Sequence, residues 1–340
     1  MINRILHNIK ISDLPEEEKI DLIHYAEKLY SKGCPIIFDT DQLMELFELQ
    51  DQDIMGFITE NTNHYYIKKS NGDLRDVCKP NYKLKIIQKW ILKNILNKLE
   101  VSEYAHGFVK NRSILTNAET HKYSKPFWVF SMDIKDFFPS IKYKDVKKIY
   151  TEIGYSNEVS ETLSLLTTVH GKLAQGFPTS PMLSNLYFRG IDEEFQRIAS
   201  GYYIRYSRYA DDITFSGIQK NGYLVLYKNL KEIVTSILSN YNFVVNDAKT
   251  RLMRDKHPKI VTGLVVTAEG VRIPQKYIRK LNKEIYYCRK FGVNGHLKYH
   301  GLITIANYKG YLIGLARYIY MVEPVKGAKF IKMVKELDWD

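Results

Sequence analysis

The chain has few cysteines and no long run of apolar residues. Its three cysteines, Cys34, Cys78 and Cys288, lie far apart without the C-x-x-C spacing of zinc or redox sites, so we expect neither a disulfide framework nor a zinc site. No segment approaches the roughly 18 consecutive apolar residues that a membrane span requires. The residues from Met1 to His7 also lack the apolar core of a signal peptide. These absences predict a protein that acts in the cytoplasm.

Acidic residues are outnumbered in this chain. Its 340 residues include 50 Lys and Arg against 38 Asp and Glu, which gives a formal net charge of +12. Each cation that neutralises a phosphate releases condensed counterions, so this balance predicts a polyanionic partner, and no basic amphipathic terminus favours a membrane surface. A hydrophobic content of 45% is enough to bury a large core. We expect a globular protein that binds nucleic acid.

Two adjacent carboxylates, Asp211 and Asp212, stand between two segments with strand composition. The residues before them (203–206) and after them (213–216) are β-branched and aromatic, which predicts a β-hairpin with the pair at its tip. Successive side chains of a strand alternate between faces, so both carboxylates cannot point the same way. We expect one of them to face a cleft and the other to support it.

A third carboxylate, Asp133, ends another apolar run, in the segment FSMDIKDFFP. A pair of aspartates can bridge two Mg²⁺ ions about 3.5–4 Å apart, a site that activates an attacking hydroxyl and stabilises a departing pyrophosphate. Asp133 with Asp211 would form that pair. A solvated or helix-capping side chain is the alternative interpretation of any single Asp in a turn.

A loop rich in Gly and Pro, QGFPTSPMLSNL from Gln175 to Leu186, leads into a helix. The ordered segments FSMDIKDFFPSI, QGFPTSPMLSNL and YADD resemble the first palm block, the Gln-Gly loop and the catalytic Asp-Asp box of reverse transcriptases. Asn117-Ala118-Glu119-Thr120-His121 and Val261-Thr262-Gly263 resemble two further elements, Asn-Ala-x-x-His and Val-Thr-Gly, of bacterial retron reverse transcriptases. The chain is therefore identified as resembling that family.

The resemblance implies an α+β fold with the right-hand architecture of polymerases, in which fingers, a palm with an antiparallel sheet and a helical thumb follow one another. The expected parts are an N-terminal helical extension (1–60), fingers (61–125), the first part of the palm (126–141), helices of fingers and palm (142–172), the second part of the palm (173–265), and the thumb with the C-terminal region (266–340). A helix from about Gln275 to Phe291 has the apolar spacing of a packed thumb helix.

The resemblance also assigns the catalytic residues. Asp133 and Asp211 would bind two Mg²⁺ ions, with Mn²⁺ as an alternative, Asp212 would be a secondary ligand or electrostatic support, and the carbonyl of Ile134 would complete one coordination shell. Magnesium prefers oxygen ligands and keeps several waters, which suits so few protein donors.

Five residues are expected to bind the incoming nucleotide. A hairpin around Asn71-Gly72 carries Lys69 and Arg75, which would contact the triphosphate, Arg75 with its planar fork. Gln175 would line the pocket near the sugar, and Lys249 would assist the leaving pyrophosphate. Phe138 occupies the position of the steric gate that excludes a ribose 2′-hydroxyl, so the product would be DNA, although a core aromatic is the alternative.

The resemblance implies that the enzyme recognises one structured non-coding RNA, begins synthesis at a guanosine 2′-hydroxyl and leaves a branched RNA–DNA product called msDNA. It further implies dNTP substrates, an RNA–DNA duplex product and a part in anti-phage defence with an effector protein. The candidate RNA-recognition residues are Asn117, His121, Val261, Thr262 and Gly263, with the basic residues Lys276, Arg279, Lys280 and Lys283.

Two alternatives stay open from the sequence. One is another bacterial defence reverse transcriptase, such as an abortive-infection type that extends DNA without a template. The other is a non-catalytic RNA-binding scaffold that has kept the fold, against which the intact carboxylates argue.

Overall fold

The computed structural model describes residues 2–50, 53–68, 72, 74–123, 128–218, 222–254, 257–300 and 305–339. The chain forms two compact units, and each is built from several segments of sequence. The first unit contains residues 1–109, 133–197 and 231–246, and the second contains residues 110–132, 198–230 and 247–340. The fold is the mixed α+β fold that the sequence predicts, with antiparallel strand pairs between helices.

The first unit begins with helices and continues through a hairpin. Its helices and strands up to residue 109 are α1 (Ile2–Lys10), α2 (Glu16–Ser31), α3 (Thr40–Leu46), α4 (Ile54–Glu60), β1 (Thr62–Lys68), β2 (Leu74–Pro80) and α5 (Tyr82–Asn94). Short polar side chains define several helix starts, because Asp39, Asp53 and Asn81 each accept a hydrogen bond from a main-chain N–H of the first turn. Strands β1 and β2 pair antiparallel from Thr62 opposite Pro80 to Lys68 opposite Leu74, which confirms the predicted hairpin.

The N-terminal helices are an integral part of this unit. The ammonium group of Lys32, just after α2, donates to the carbonyls of Glu152 (2.9 Å) and Ile153 (2.7 Å). These carbonyls end the helix Tyr143–Ile153, where a cation also complements the helix dipole. The hydroxyl of Tyr155 donates to the carbonyl of Pro35 at 3.0 Å, which fixes the same junction from the other side.

After residue 109 successive segments of the chain alternate between the two units. The helices that follow α5 are α6 (Ile114–Thr120), α7 (Phe137–Ser140), α8 (Tyr143–Ile153), α9 (Asn157–Thr167), α10 (Ser180–Tyr187), α11 (Arg189–Gly201) and α12 (Tyr223–Asn240). The strands are β3 (Trp128–Lys135), β4 (Arg205–Tyr209), β5 (Asp212–Gly217), β6 (Val244–Val245) and β7 (Arg251–Arg254).

These strands form a five-stranded sheet in the order β4-β5-β3-β6, with β7 also paired to β3. Residues 134–135 of β3 pair with β6 inside the first unit, and residues 128–131 pair with β7 inside the second unit. Burial of nearly all of β3 explains why its sequence is a continuous apolar run rather than an alternating one.

The second unit ends in a helical region with its own core. Its remaining elements are β8 (Lys259–Val261), β9 (Leu264–Val266), β10 (Val271–Arg272), α13 (Gln275–Phe291), α14 (Val293–His300), α15 (Ile305–Val322) and α16 (Pro324–Lys335). Helix α13 has the bounds that its periodicity predicts, with Ile278, Leu281, Ile285 and Cys288 buried. Among the helices that the structure describes, none has both the length and the apolar character to cross a bilayer.

Candidate active site

Asp133 lies in β3 and is held by a residue that the sequence analysis did not single out. The side chain of Asp133 is 6% exposed. The main-chain N–H of Asn246 donates to the Asp133 carbonyl at 2.8 Å, and the Asn246 amide nitrogen donates to Asp133 Oδ1 at 2.9 Å. Asn246 directly follows β6, whose Val245 pairs with Ile134, so the strand pairing places this amide beside the carboxylate. The amide hydrogen bond restrains the orientation of the Asp133 carboxylate, and the main-chain bond extends the pairing of β6 with β3.

The segment after Asp133 separates two neighbouring phenylalanines. Asp136 has a φ of 47°, in the left-handed region, and this bend starts the short helix α7. Phe137 is buried, with its ring 5.8 Å from that of Phe188 and 5.7 Å from that of Phe243. Phe138 is half-buried, and its ring lies 6.1 Å from that of Phe108. Phe137 is therefore the core aromatic, and Phe138 stays accessible for the predicted steric gate.

The Gln-Gly loop contacts the strand that carries Arg75. The N–H of Cys78 in β2 donates to the carbonyl of Gln175 at 2.8 Å. Gly176 has a φ of 116°, and a Cβ at this position would lie 2.5 Å from the Cys78 carbonyl oxygen. Only glycine allows this close approach. Arg75 is exposed on β2, opposite Ile67, whereas Lys69 lies outside the described residues.

Asp211 and Asp212 occupy the tip of the β4–β5 hairpin, as predicted. Tyr209 pairs with Asp212, so Ala210 and Asp211 form a two-residue loop. Ala210 has a φ of 55°, a conformation that costs a non-glycine residue about 1–2 kcal/mol. Such strain at a loop tip is frequent at functional sites, where it aims a side chain.

Arg208 lies in β4, separated from this loop by Tyr209, and the sequence analysis did not single it out. It is fully buried, and its guanidinium donates to the carbonyl of Ala210 at 3.1 Å. This hydrogen bond ties the buried arginine to the main chain of the loop that carries Asp211. An arginine inside a strand gives no sequence signal that distinguishes it from an exposed one.

Asn117, His121 and Val261 are buried within the second unit, with 0%, 0% and 1% exposure. Their side chains lie inside the protein, and direct recognition of RNA by these three residues stays a prediction. Thr262 (φ 45°) and Gly263 (φ 83°) form the two-residue turn between β8 and β9, both in the left-handed region. This is the pattern of a type I′ turn, which explains why a glycine follows the threonine.

The basic residues of α13 do lie on the surface. Lys276, Arg279, Lys280 and Lys283 are exposed, on the side of the helix away from its buried apolar stripe. A hydrogen bond to Tyr311 raises the pKa of Lys280, whose ammonium lies 5.1 Å from the Tyr311 ring centre. This surface combines permanent positive charge with aromatic rings, the composition that contacts a nucleic-acid backbone.

The candidate residues are distributed over both units. Arg75, Asp133, Phe138 and Gln175 belong to the first unit, as does Asn246. Asp211, Asp212 and Lys249 belong to the second unit, where Lys249 is exposed at the end of a short 3₁₀ helix (Asp247–Lys249). The carboxylate and carbonyl oxygens among these residues are ligands that Mg²⁺ prefers.

The buried strand that carries Asp133, the hairpin with two carboxylates at its tip and the glycine loop are the elements that the sequence motifs predict, and comparison with known proteins identifies the class of the protein. Residues 67–284 match the family model described as "Reverse transcriptase (RNA-dependent DNA polymerase)". The chain belongs to the reverse transcriptase family and is an RNA-directed DNA polymerase.

Two curated relatives show to which branch of the reverse transcriptase family the chain belongs. The Retron Mx162 reverse transcriptase of Myxococcus xanthus is 31% identical over 361 residues, which cover 94% of this chain and 71% of that protein. The Retron Ec86 reverse transcriptase of Escherichia coli is 31% identical over 238 residues, covering 69% of this chain and 72% of that protein. By its similarity to these relatives, the chain is a bacterial retron reverse transcriptase.

The apo telomerase of Candida tropicalis is a similar solved structure, with 12% identity, a TM-score of 0.49, and coverage of 82% of this chain and 56% of that one.

Proposed function

We propose that this enzyme copies one structured non-coding RNA into branched, RNA-linked single-stranded DNA, msDNA, as the reverse transcriptase of an anti-phage retron. Membership of the retron family supports the RNA-templated synthesis. The branched product, the dNTP substrates, the cognate RNA and the defence effector protein are the parts of this proposal that rest on the resemblance of the sequence motifs.

The catalytic centre in this proposal is a two-metal site. Asp133 and Asp211 would hold two Mg²⁺ ions, or Mn²⁺ in their place, with Asp212 as the secondary ligand and the Ile134 carbonyl completing one shell. When bound, the ions activate the primer hydroxyl and neutralise the charge of the departing pyrophosphate. The observation that carries this assignment is the hydrogen bond from the Asn246 side-chain amide to Asp133 Oδ1, which orients the Asp133 carboxylate.

The remaining residues would position the nucleotide. Arg75 would pair with the triphosphate, and the contact between Cys78 and Gln175 holds the strand that carries it against the loop that would line the sugar pocket. Phe138 would exclude ribonucleotides through its accessible ring. Lys249 would donate a proton toward the leaving group, and the exposed basic face of α13 would follow the phosphates of the RNA–DNA duplex.

The test is to express the chain with its native flanking DNA and isolate the nucleic acid that copurifies. This material is run on a denaturing gel after treatment with ribonuclease, deoxyribonuclease or a debranching enzyme. DNA of defined length that shifts on debranching, and that is absent from the Asp211→Asn variant, supports the proposal. DNA of random length without linked RNA would favour template-independent synthesis. RNA alone, with no DNA from the parent enzyme and no change in Asp211→Asn, would favour a scaffold. Either result overturns the proposal.

A further inference from the structure

A continuous series of hydrogen bonds joins α6, both strands of the β4–β5 hairpin and the β8–β9 turn. His121 Nδ1 lies 2.7 Å from Ser216 Oγ, and its Nε2 lies 2.7 Å from Ser207 Oγ. Ser207 Oγ donates to Asn117 Oδ1 at 2.7 Å, and Asn117 Nδ2 donates to Thr262 Oγ1 at 3.4 Å. Thr262 Oγ1 in turn donates to the first main-chain carbonyl of α6 at 3.1 Å. The series connects three segments that are far apart in sequence.

The hydrogen bond from Ser207 to Asn117 shows which way the neighbouring contact with His121 runs. Ser207 has one hydroxyl proton, which it donates to Asn117, so it accepts a hydrogen bond from His121. Nε2 of His121 therefore carries a proton and donates it to Ser207 Oγ, and Nδ1 makes the second hydrogen bond of the ring, to Ser216 Oγ. Both ring nitrogens are thus engaged by the hairpin.

The series contacts the face of the hairpin that carries Asp212. Tyr209 pairs with Asp212, Ser207 with Thr214 and Arg205 with Ser216. Residues two apart on a strand share a face, so Ser207, Asp212 and Ser216 lie on the same face of the hairpin. His121 holds this face through one hydroxyl on each strand, on both sides of the loop that carries Asp211.

We infer that His121 and Asn117 are positioning residues for the polymerase reaction, which set the orientation of the hairpin that carries Asp211 and Asp212. This inference rests on the catalytic role proposed for these two carboxylates. It gives the Asn-Ala-x-x-His and Val-Thr-Gly elements a joint function, since Asn117 donates to the threonine of the second element. Both are parts of one buried polar network that specifies a single arrangement of the hairpin.

The test compares kcat and KM for a dNTP on an RNA template with a DNA primer. Ser207→Ala, Ser216→Ala and His121→Leu each interrupt the series, and Ser164→Ala is the matched control, because Ser164 is a buried serine that donates to a helix carbonyl. We expect kcat to fall on the order of tenfold to a hundredfold in the three variants, with KM changed less than about twofold, as for a slightly misplaced catalytic group. The control should lose thermal stability without this fall in kcat.

A double-mutant cycle separates positioning from general destabilisation. His121→Leu combined with Ser207→Ala should lower kcat no further than His121→Leu alone, because both changes break the same series. Independent, multiplicative losses, or losses of kcat that equal the loss of folded protein, would overturn the inference. Since Asp211→Asn is assayed in parallel, an inactive Asp211→Asn enzyme beside fully active His121 variants would refute only the positioning function.

A second inference concerns the β1–β2 hairpin, on which three metal-binding side chains converge. His64 pairs with Cys78 across the strands, and Asp76 shares the face of Cys78. His64 Nδ1 lies 3.2 Å from Asp76 Oδ1 and 3.6 Å from Cys78 Sγ. A ring nitrogen has one in-plane direction for a proton or a lone pair, so it cannot make two good hydrogen bonds there.

The two distances from His64 Nδ1 match those of a tetrahedral zinc site, and the three ligand atoms all lie within 4.8 Å of one another. Ordinary Zn–N, Zn–O and Zn–S bonds place nitrogen and oxygen ligands about 3.3 Å apart, and nitrogen and sulfur ligands about 3.5 Å apart. We infer that His64, Asp76 and Cys78 bind Zn²⁺, with water at the fourth position. Sequence spacing did not indicate this site, because strand register rather than a short motif brings the ligands together. A bound ion would tie β1 to β2 where Cys78 contacts the Gln-Gly loop.

This site is tested by titrating chelator-treated protein with Zn²⁺ in the presence of excess Mg²⁺, and with Co²⁺ as a spectroscopic probe. We expect one Zn²⁺ per chain and a thiolate-to-cobalt absorption band. Cys78→Ser and His64→Gln should weaken binding by more than about tenfold, as expected when a ligand is lost. Cys34→Ser, which removes a buried cysteine of the same unit, should leave binding unchanged. Absence of Zn²⁺ binding, or binding retained in both ligand variants, would overturn the inference.

Discussion

Removal of the Asn246 side chain tests how Asp133 is oriented. Asn246→Ala deletes the 2.9 Å hydrogen bond to Asp133 Oδ1 and keeps the main-chain bond to the Asp133 carbonyl, so β6 remains paired with β3. A hydrogen bond to a charged group contributes about 1.5–3 kcal/mol. If this free energy holds the carboxylate in its metal-binding rotamer, kcat should fall about tenfold to 150-fold.

The assay is single-nucleotide extension of a DNA primer on an RNA template, with kcat and KM measured over a range of Mg²⁺ concentrations. Asn246→Ala should need more Mg²⁺ for half-maximal rate, because the carboxylate is no longer preorganised. Asn246→Asp should be at least as impaired, since it replaces the donor by a second negative charge. Asn94→Ala is the control, because its amide donates only to the carbonyl of Trp90 among the contacts described. A kcat for Asn246→Ala within twofold of that of the parent enzyme would refute the reasoning.

Three further predictions follow from single contacts. Gly176→Ala should raise KM for the dNTP and lower the melting temperature, since its Cβ would lie 2.5 Å from the Cys78 carbonyl oxygen; kinetics and thermal unfolding check both. Lys32→Met should destabilise the protein by about 1–2 kcal/mol in urea unfolding, because two helix-terminal carbonyls lose a charged donor. Replacing Lys276 and Lys283 by Gln should weaken duplex binding and reduce the slope of log affinity against log salt by up to about 1.8; an unchanged slope would contradict backbone contacts.

Elements with local signals were predictable. Helix α13 follows from its apolar spacing alone, and its bounds Gln275–Phe291 are those expected, because helix periodicity depends on neighbouring residues. The hairpin of β4 and β5 follows from strand composition on both sides of Asp211 and Asp212. Whether the ring of Phe138 enters the core was left open by the sequence, since the bend at Asp136 decides that Phe137 is the buried ring.

The sequence by itself determined the class of this protein, because the polymerase carboxylates and the retron elements are short contiguous motifs. Only the tertiary structure showed that Asn246 holds Asp133, that Arg208 is buried and bonded to the loop before Asp211, and that Asn117 and His121 are buried. The physical reason is that the sequence does not show which group a polar side chain contacts in the folded protein. His121 and Ser216 are 95 residues apart, and Asn246 and Asp133 are 113 residues apart, so strand pairing and burial decide whether each contacts solvent or protein.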